Sequence, residues 1–323
     1  MHVLRQTGFD TLGPAVHARP VATGRTVRYI DEGRPAWTPL AWFGGAGTTV
    51  RAFRLLEFAR SLREELQIRV LSVERNGLGE TPFDPAVGYE EYAADVWALL
   101  DELEVSDASL MAISGGGPYA AHVAAAAPGR VRSLHLACTY SERRVHTGVM
   151  PPVDEIASDP VTWWRYPDDS PLQRIPGFVD AAAEEATVSV FTHGRDAPAE
   201  GLRQAFALYA QEPLPDLSRV AAPAFLYWGS ADDVVPAEHM QRWAGALENV
   251  VATRMYEGEG HDIQYRHWDQ ILADIAFLGG RTVLAHDGKT LLVEESQLDA
   301  WLDRGATLGL AAWAATPQPR RSV

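Results

Sequence analysis

The sequence predicts an α/β protein, a doubly wound and mostly parallel sheet with a helical insertion and a small C-terminal β-hairpin/helix extension. Three observations predict it. Short β-type apolar runs alternate with helical patterns through the first 140 residues. These runs are continuously apolar, as strands covered on both faces are. The alternation lapses over about 140–215 and then resumes, as expected when a helical segment is inserted between two strands of one sheet.

The elements follow in order. "TVRYID" (26–31) has strand character and stops at the turn signal Glu32-Gly33-Arg34-Pro35. "LAWF" (40–43) is broken by Gly44-Gly45-Ala46-Gly47. Residues 51–66 read as a helix with Phe53, Leu56, Phe58 and Leu62 near its buried side. "IRVLSVE" (68–74) is a strand closed by Asn76-Gly77, and 89–103 is an amphipathic helix carrying Tyr92, Val96, Leu99, Leu100 and Leu103. "SLMAIS" is the next strand, 118–127 an alanine-rich helix ended by Pro128-Gly129, and "VRSLHLAC" (131–138) another strand. After the lapse come "AFLYW" (224–228), a helix from Pro236 to about Leu247, "VATRMYE" (251–257) and a helix over about 263–278. "TVLAHDGKTLLV" (282–293) reads as a hairpin turning on Asp287-Gly288. "ESQLDAWLDRG" is a short helix and "TLGLAAWA" a last strand. The expected organisation is a core of 1–139 and 216–280, a helical cap at 140–215 and an extension at 281–323, too short for an independent core.

Bulk properties narrow the function classes. A net charge of −15 argues against binding nucleic-acid phosphates or an anionic membrane surface. The single cysteine, Cys138, excludes an internal disulfide and fits a reducing compartment; it reads as a small buried hydrophobe. Residues 1–18 lack the pattern of a signal peptide, and no apolar run approaches the roughly 20 residues of a membrane span. A cytoplasmic protein acting on a small molecule is expected.

"MAISGGGPYA" (111–120) admits two chemistries. Gly115, Gly117 and Ala120 fit the G-x-G-x-x-A pattern of a dinucleotide-binding loop. That pattern needs an acid at the end of the next strand, which closes Leu136-Ala137-Cys138-Thr139-Tyr140, with Glu142 late and beyond it. It also belongs in a first βαβ unit, and at least three strands precede this one. The rival is a serine on a sharp strand-to-helix turn, with small residues, Ala112 and Gly116, two before and two after it. A serine hydroxyl needs a histidine base and an acid to orient that base. Asp232 follows one later strand in "GSADDVVP", and His261 follows the next in "GEGH". Asp233 is a rival acid better suited to capping the following helix, Glu142 a minor one, and His267 a rival base expected inside a helix. Glu74 and Arg75 read as structural contacts near the core.

On these residues the chain resembles the α/β-hydrolase fold family over essentially residues 20–280. "VRYIDEG" resembles its first strand, "FGGAGT" its oxyanion loop, "VERNGLGETPFD" the segment after its fourth strand, and "AISGG", "GSADDVVP" and "GEGH" its elbow, acid and histidine motifs. The resemblance implies a nucleophile at Ser114, an acid at Asp232, a base at His261 and oxyanion donors at Gly45 and Gly115. Phe43 stands where the family usually has histidine, and Gly115 replaces a bulkier residue, which predicts a more flexible turn. Phe43, Trp163, Trp164, Phe191 and His193 are candidates to line a substrate pocket beneath the cap. The implied activity is hydrolysis of an ester, lactone or thioester of a small, largely apolar substrate, without metal or organic cofactor. The same fold would also support C–C bond hydrolysis, or a ligand-binding protein that keeps a slow triad. The extension is expected to pack on the core or to pair with a second copy as a homodimer.

Overall fold

The computed structural model describes residues 2–4, 13–142, 152–163, 166, 170–175, 177–191 and 199–311. Its strands, in chain order, are β1 (His2–Leu4), β2 (His17–Pro20), β3 (Thr26–Glu32), β4 (Thr38–Phe43), β5 (Ile68–Val73), β6 (Ala108–Ile113), β7 (Val131–Ala137), β8 (Ala224–Gly229), β9 (Val250–Tyr256), β10 (Arg281–His286), β11 (Lys289–Glu294) and β12 (Thr307–Leu308). The helices are α1 (Arg60–Glu65), α2 (Tyr89–Glu102), α3 (Gly117–Ala126), α4 (Val153–Ser158), α5 (Pro160–Trp163), α6 (Phe178–Phe191), α7 (Glu200–Gln211), α8 (Ala237–Ala246), α9 (Ile263–Arg266), α10 (Trp268–Phe277) and α11 (Leu298–Leu302).

The main sheet has the order β2-β3-β5-β4-β6-β7-β8-β9. Its first two pairings are antiparallel and all the others parallel. The central strands β5, β6 and β8 are buried at every position, which is why each reads as mainly apolar, with Arg69, Ser72 and Ser109 as buried polar exceptions. The chain moves one way across the sheet from β4 to β5 and the other way from β5 to β6. Right-handed crossovers therefore put α1 on one face and α2 with α3 on the other. Helices α2 and α3 pack together on their side, and α10 joins α1 on the opposite one. Strands β7 and β8 are neighbours in the sheet although α4 to α7 lie between them in sequence, so those helices form an insertion.

A buried polar chain crosses this sheet. Ser109 and Ser133 hydroxyls meet at 2.7 Å, Ser133 reaches His135 Nε2 at 2.9 Å, and His135 Nδ1 reaches the Tyr227 hydroxyl at 3.0 Å. Tyr227 donates to Asp274 at 2.9 Å, and Arg254 grips both oxygens of that carboxylate at 2.8 Å. Burial pushes His135 down to about 3, so it sits in the chain as a neutral imidazole.

The C-terminal hairpin turns at Asp287-Gly288, both with positive φ, as a two-residue turn requires. Its two edges are taken by β12 on one side and by β1, from the opposite end of the chain, on the other. Gln270 of α10 joins this small sheet to the core by accepting from the Val283 N–H at 3.0 Å and donating to the Arg281 carbonyl at 2.9 Å. The helix expected over 51–66 is instead a 3-10 helix, Val50–Ala59, followed by α1. The helix expected over 263–278 breaks at His267, whose ring stacks on Tyr256 at 3.5 Å and whose Nε2 meets Glu259 at 2.8 Å. The last strand is shorter than expected, only Thr307–Leu308.

Candidate active site

The parallel strands end in register along one edge of the sheet, where ligand sites of open α/β folds lie. Strand β6 delivers Ser114 there with φ +49°, a left-handed conformation that strains a residue with a side chain. That turn throws the serine side chain out at the apex between β6 and α3. Its neighbours must be small for a visible reason. Ala112 is fully buried, and a Cβ on Gly116 would run into the carbonyl oxygens of Phe43 and Gly44. Gly117, for which the sequence suggested no role, is equally constrained: a Cβ there would lie 2.7 Å from Thr139 Cβ and 3.1 Å from the Trp243 ring.

Two further strand ends bring the partners. His261 Nε2 lies 3.0 Å from Ser114 Oγ, and His261 Nδ1 lies 2.8 Å from Asp232 Oδ2. An ionised carboxylate can only accept, so Nδ1 carries the proton and Nε2 is left to accept from the serine hydroxyl. The other oxygen of Asp232 accepts the N–H groups of Val234 at 3.0 Å and Val235 at 2.8 Å, which fixes the carboxylate's plane. Burial pushes Asp232 up, but the adjacent His261 and hydrogen bonds from His261, Cys138 and Val235 bring it below the ordinary carboxylate range.

The rival residues are elsewhere. Asp233 is exposed, Glu142 pairs with Arg242 at 3.1 Å, and His267 pairs with Glu259.

Cys138 is fully buried as expected, yet its thiol also lies against Asp232, and burial followed by that carboxylate raises it well above its ordinary range. Cys138, Asp232 and His261 together offer three potential metal ligand atoms within 4.8 Å of one another. Two of the three, His261 and Asp232, are joined to each other by the 2.8 Å hydrogen bond.

The loop after β4 passes directly over the serine. A Cβ on Gly45 would stand 3.5 Å from Ser114 Cβ, so the Gly45 backbone runs beside the nucleophile position. Gly115 is squeezed between that loop and the insertion: a Cβ there would meet the Tyr209 hydroxyl at 2.5 Å and Ala46 N at 2.9 Å. Tyr209 and Ala46 thus occupy the space that a bulkier residue at 115 would take.

Beneath the loop lie two buried charged-type residues. Arg75 donates to the carbonyl oxygens of Gly45 and of Thr48, the latter at 2.9 Å, and its guanidinium lies over the Tyr119 ring at 5.2 Å. Glu74 accepts the Val50 N–H, and burial pushes it up to about 8. Reading Arg75 only as a core contact thus missed that it anchors this loop. The available signal was its place just beyond a parallel strand end, facing the glycine run.

The insertion touches each of these loops. Tyr209 of α7 donates to the Gly115 carbonyl at 2.8 Å, and Glu185 of α6 accepts from Thr49 N at 3.0 Å and Thr49 Oγ1 at 2.6 Å. Ser170 donates to Asp262, next to His261, at 2.7 Å. Gly201 of α7 packs on Gly77 so closely that a Cβ on either would lie within 3 Å of the other's backbone. Of the expected pocket residues, Phe43 is buried with its ring edge-on to Tyr92 at 6.4 Å. Trp163 and Phe191 close α5 and α6, their side chains outside the described residues, as are Trp164 and His193 entirely. Among the described residues no helix is long and apolar enough to cross a membrane.

Comparison with known proteins agrees with this architecture. The chain is 27% identical over 278 residues to the dihydrolipoyllysine-residue acetyltransferase component of the acetoin cleaving system of Pseudomonas putida, spanning 80% of this chain and 68% of that protein. It is 29% identical over 238 residues to a non-heme chloroperoxidase of Streptomyces lividans, spanning 64% of this chain and 80% of that protein. Among solved structures it resembles an esterase of Rhodococcus sp. ECU1013, with TM-score 0.61 and 18% identity, over 82% of this chain and 99% of that one. The family model described as alpha/beta hydrolase fold matches residues 44–205. With the sheet order, the elbow at the end of β6 and that match, the chain belongs to the α/β-hydrolase fold family.

Proposed function

We propose that the protein is a serine hydrolase that cleaves an ester, or a related lactone or thioester, of a small and largely apolar substrate. The observation that carries this reading is the continuous chain Ser114 Oγ–His261–Asp232, closed at 3.0 and 2.8 Å on a left-handed elbow. The esterase named among the similar structures is consistent with it.

In this reading His261 takes the Ser114 proton through Nε2 as Oγ attacks the substrate carbonyl. Asp232 holds the imidazole in the required tautomer and stabilises the imidazolium. The N–H groups of Gly45 and Gly115 receive the developing oxyanion, each donor being worth on the order of 3 kcal/mol in the transition state. The imidazolium then protonates the leaving oxygen or sulfur. Water, activated by the same histidine, attacks the acyl-enzyme and frees Ser114. No step calls on a metal or an organic cofactor.

Replacing Ser114→Ala should lower turnover of a short-chain aryl ester by about a thousandfold or more, since catalysis by a triad fails when its nucleophile is removed. The thermal unfolding midpoint should hold or rise, because the strained position loses only a hydroxyl. Undiminished turnover in the folded variant would refute the assignment.

A further inference from the structure

We infer that Tyr209 and Arg75 are positioning residues that hold the two oxyanion donors in register, so that the oxyanion hole is complete only while α7 is docked. This inference rests on the reading of Ser114 as nucleophile and of Gly45 and Gly115 as donors, and adds what keeps those donors in place.

The two donor residues come from different parts of the chain, one from the loop after β4 and one from the elbow after β6. The ladder joins β4 to β6 only as far as Phe43 and Ala112, so each donor lies two or three residues beyond the last paired position. Each has its own carbonyl gripped from the side: Gly45 by the Arg75 guanidinium, Gly115 by the Tyr209 hydroxyl at 2.8 Å. The two grips share a neighbour, because the Tyr119 ring lies under the Arg75 guanidinium at 5.2 Å and edge-on to Tyr209 at 6.4 Å. The pairs Gly45 carbonyl–Arg75 and Tyr209–Gly115 carbonyl, both packed on Tyr119, therefore bridge the hole from behind.

Tyr209 cannot shift without moving its surroundings. Its ring stacks on Tyr140 at 5.9 Å and meets Tyr119 edge-on at 6.4 Å. Its helix is pinned by the Gly201–Gly77 contact and by the Gln204 side chain against Asn76. A second link from the insertion, Glu185 to Thr49, secures the far end of the same loop. Lifting α7 would release the elbow side of the hole while leaving Ser114, His261 and Asp232 in contact. The insertion thereby couples its own docking to oxyanion stabilisation rather than to nucleophile activation.

The test is Tyr209→Phe, which deletes one hydroxyl and keeps the ring. Deleting an oxyanion donor costs two to three orders of magnitude, and loosening a donor that remains present costs less. The expected result is a fall in kcat of about tenfold with KM changed less than twofold, the pattern of an interaction made in the transition state. The affinity of an alkyl boronic acid, which forms a tetrahedral adduct at the serine, should fall by about the same factor. An uncharged analogue with a methylene in place of the carbonyl, which fills only the acyl pocket, should bind unchanged. Arg75→Lys, which keeps the charge but ends one bond short of the Nη2 position that reaches both carbonyls, should act the same way. Combined with Tyr209→Phe it should lower kcat by less than the product of the single effects.

Unchanged kcat and boronate affinity in Tyr209→Phe would overturn the inference, as would a loss confined to KM or to thermal stability. If Arg75→Lys does not fold, Tyr209→Phe decides alone. Failure of the underlying reading is distinguishable: Ser114→Ala would then retain turnover, whereas with Ser114→Ala inactive and Tyr209→Phe unaffected only the bridge is refuted.

Discussion

Ser114 and Glu74 show how burial and backbone conformation assign chemistry to single residues. Ser114 holds φ +49°, the carbonyl-lined gap behind it leaves room only for glycine at 116, and the serine hydroxyl meets His261. Glu74 is buried beside Arg75 and pushed up to about 8, so it stays protonated at neutral pH and adds no negative charge behind the hole. In the unfolded chain the same carboxyl titrates near its ordinary 4.5. Between these values the unfolded state has released a proton that the folded state keeps. Stability from this group is therefore full below about pH 4.5 and declines as pH rises towards 8, with a limiting slope of about 1.4 kcal/mol per pH unit. Glu74→Gln removes the titration and retains an acceptor for Val50. Urea unfolding of the two proteins at pH 5.5 and pH 8 should show the variant gaining on the parent by a few kcal/mol at the higher pH. A difference independent of pH would mean that Glu74 is ionised in the folded protein. The triad frames were legible as residues because strand ends order them. Arg75 and Tyr209 were not, because each is defined by what it touches 30 and 94 positions away.

At the level of elements, the apolar runs predicted strands well and the helical patterns predicted them less evenly. Strands β3 to β9 were each anticipated within a residue or two: β5, β6 and β8 are buried at every position, whereas β9 alternates between half-buried and exposed. Strands β1 and β2 were not, because β1 is three residues long and exists only through pairing with β11 at the other end of the chain. The break at His267 was hidden for a similar reason: the ring leaves the helical pattern to stack on Tyr256 of a neighbouring strand. Close approach of α3 to the end of β7 was also invisible, although Gly117 marks it. Gly117→Ala would press a methyl group against Thr139 and Trp243 in a packed region. It should destabilise the protein by about 2 kcal/mol, the usual scale of overpacking, since the methyl also crowds the carbonyl of Tyr140, whose N–H bonds the Ser114 carbonyl. Thermal unfolding checks this; an unchanged midpoint would mean that α3 can shift away from β7 freely.

Across the whole molecule, the sheet supplies a rigid edge, the insertion closes over it, and the C-terminal sheet is fastened to α10 on the face that carries α1. Four ends of the parallel strands, those of β4, β6, β8 and β9, place the loop of Gly45, Ser114, Asp232 and His261 within reach of one another. This convergence follows from the parallel sheet, and it explains why motifs spread over more than 200 residues could be read as one constellation. The bridging side chains behind it come from an insertion whose packing no local pattern encodes. The most direct test of a nucleophile at Ser114 is labelling with an aryl fluorophosphonate, followed by peptide mass mapping and aryl-ester assay of the same samples. One phosphonyl group per chain, on the peptide bearing Ser114, with esterase activity lost in proportion to labelling, is the predicted result. Full labelling elsewhere in the chain, or hydrolysis that persists in the fully labelled protein, would contradict it.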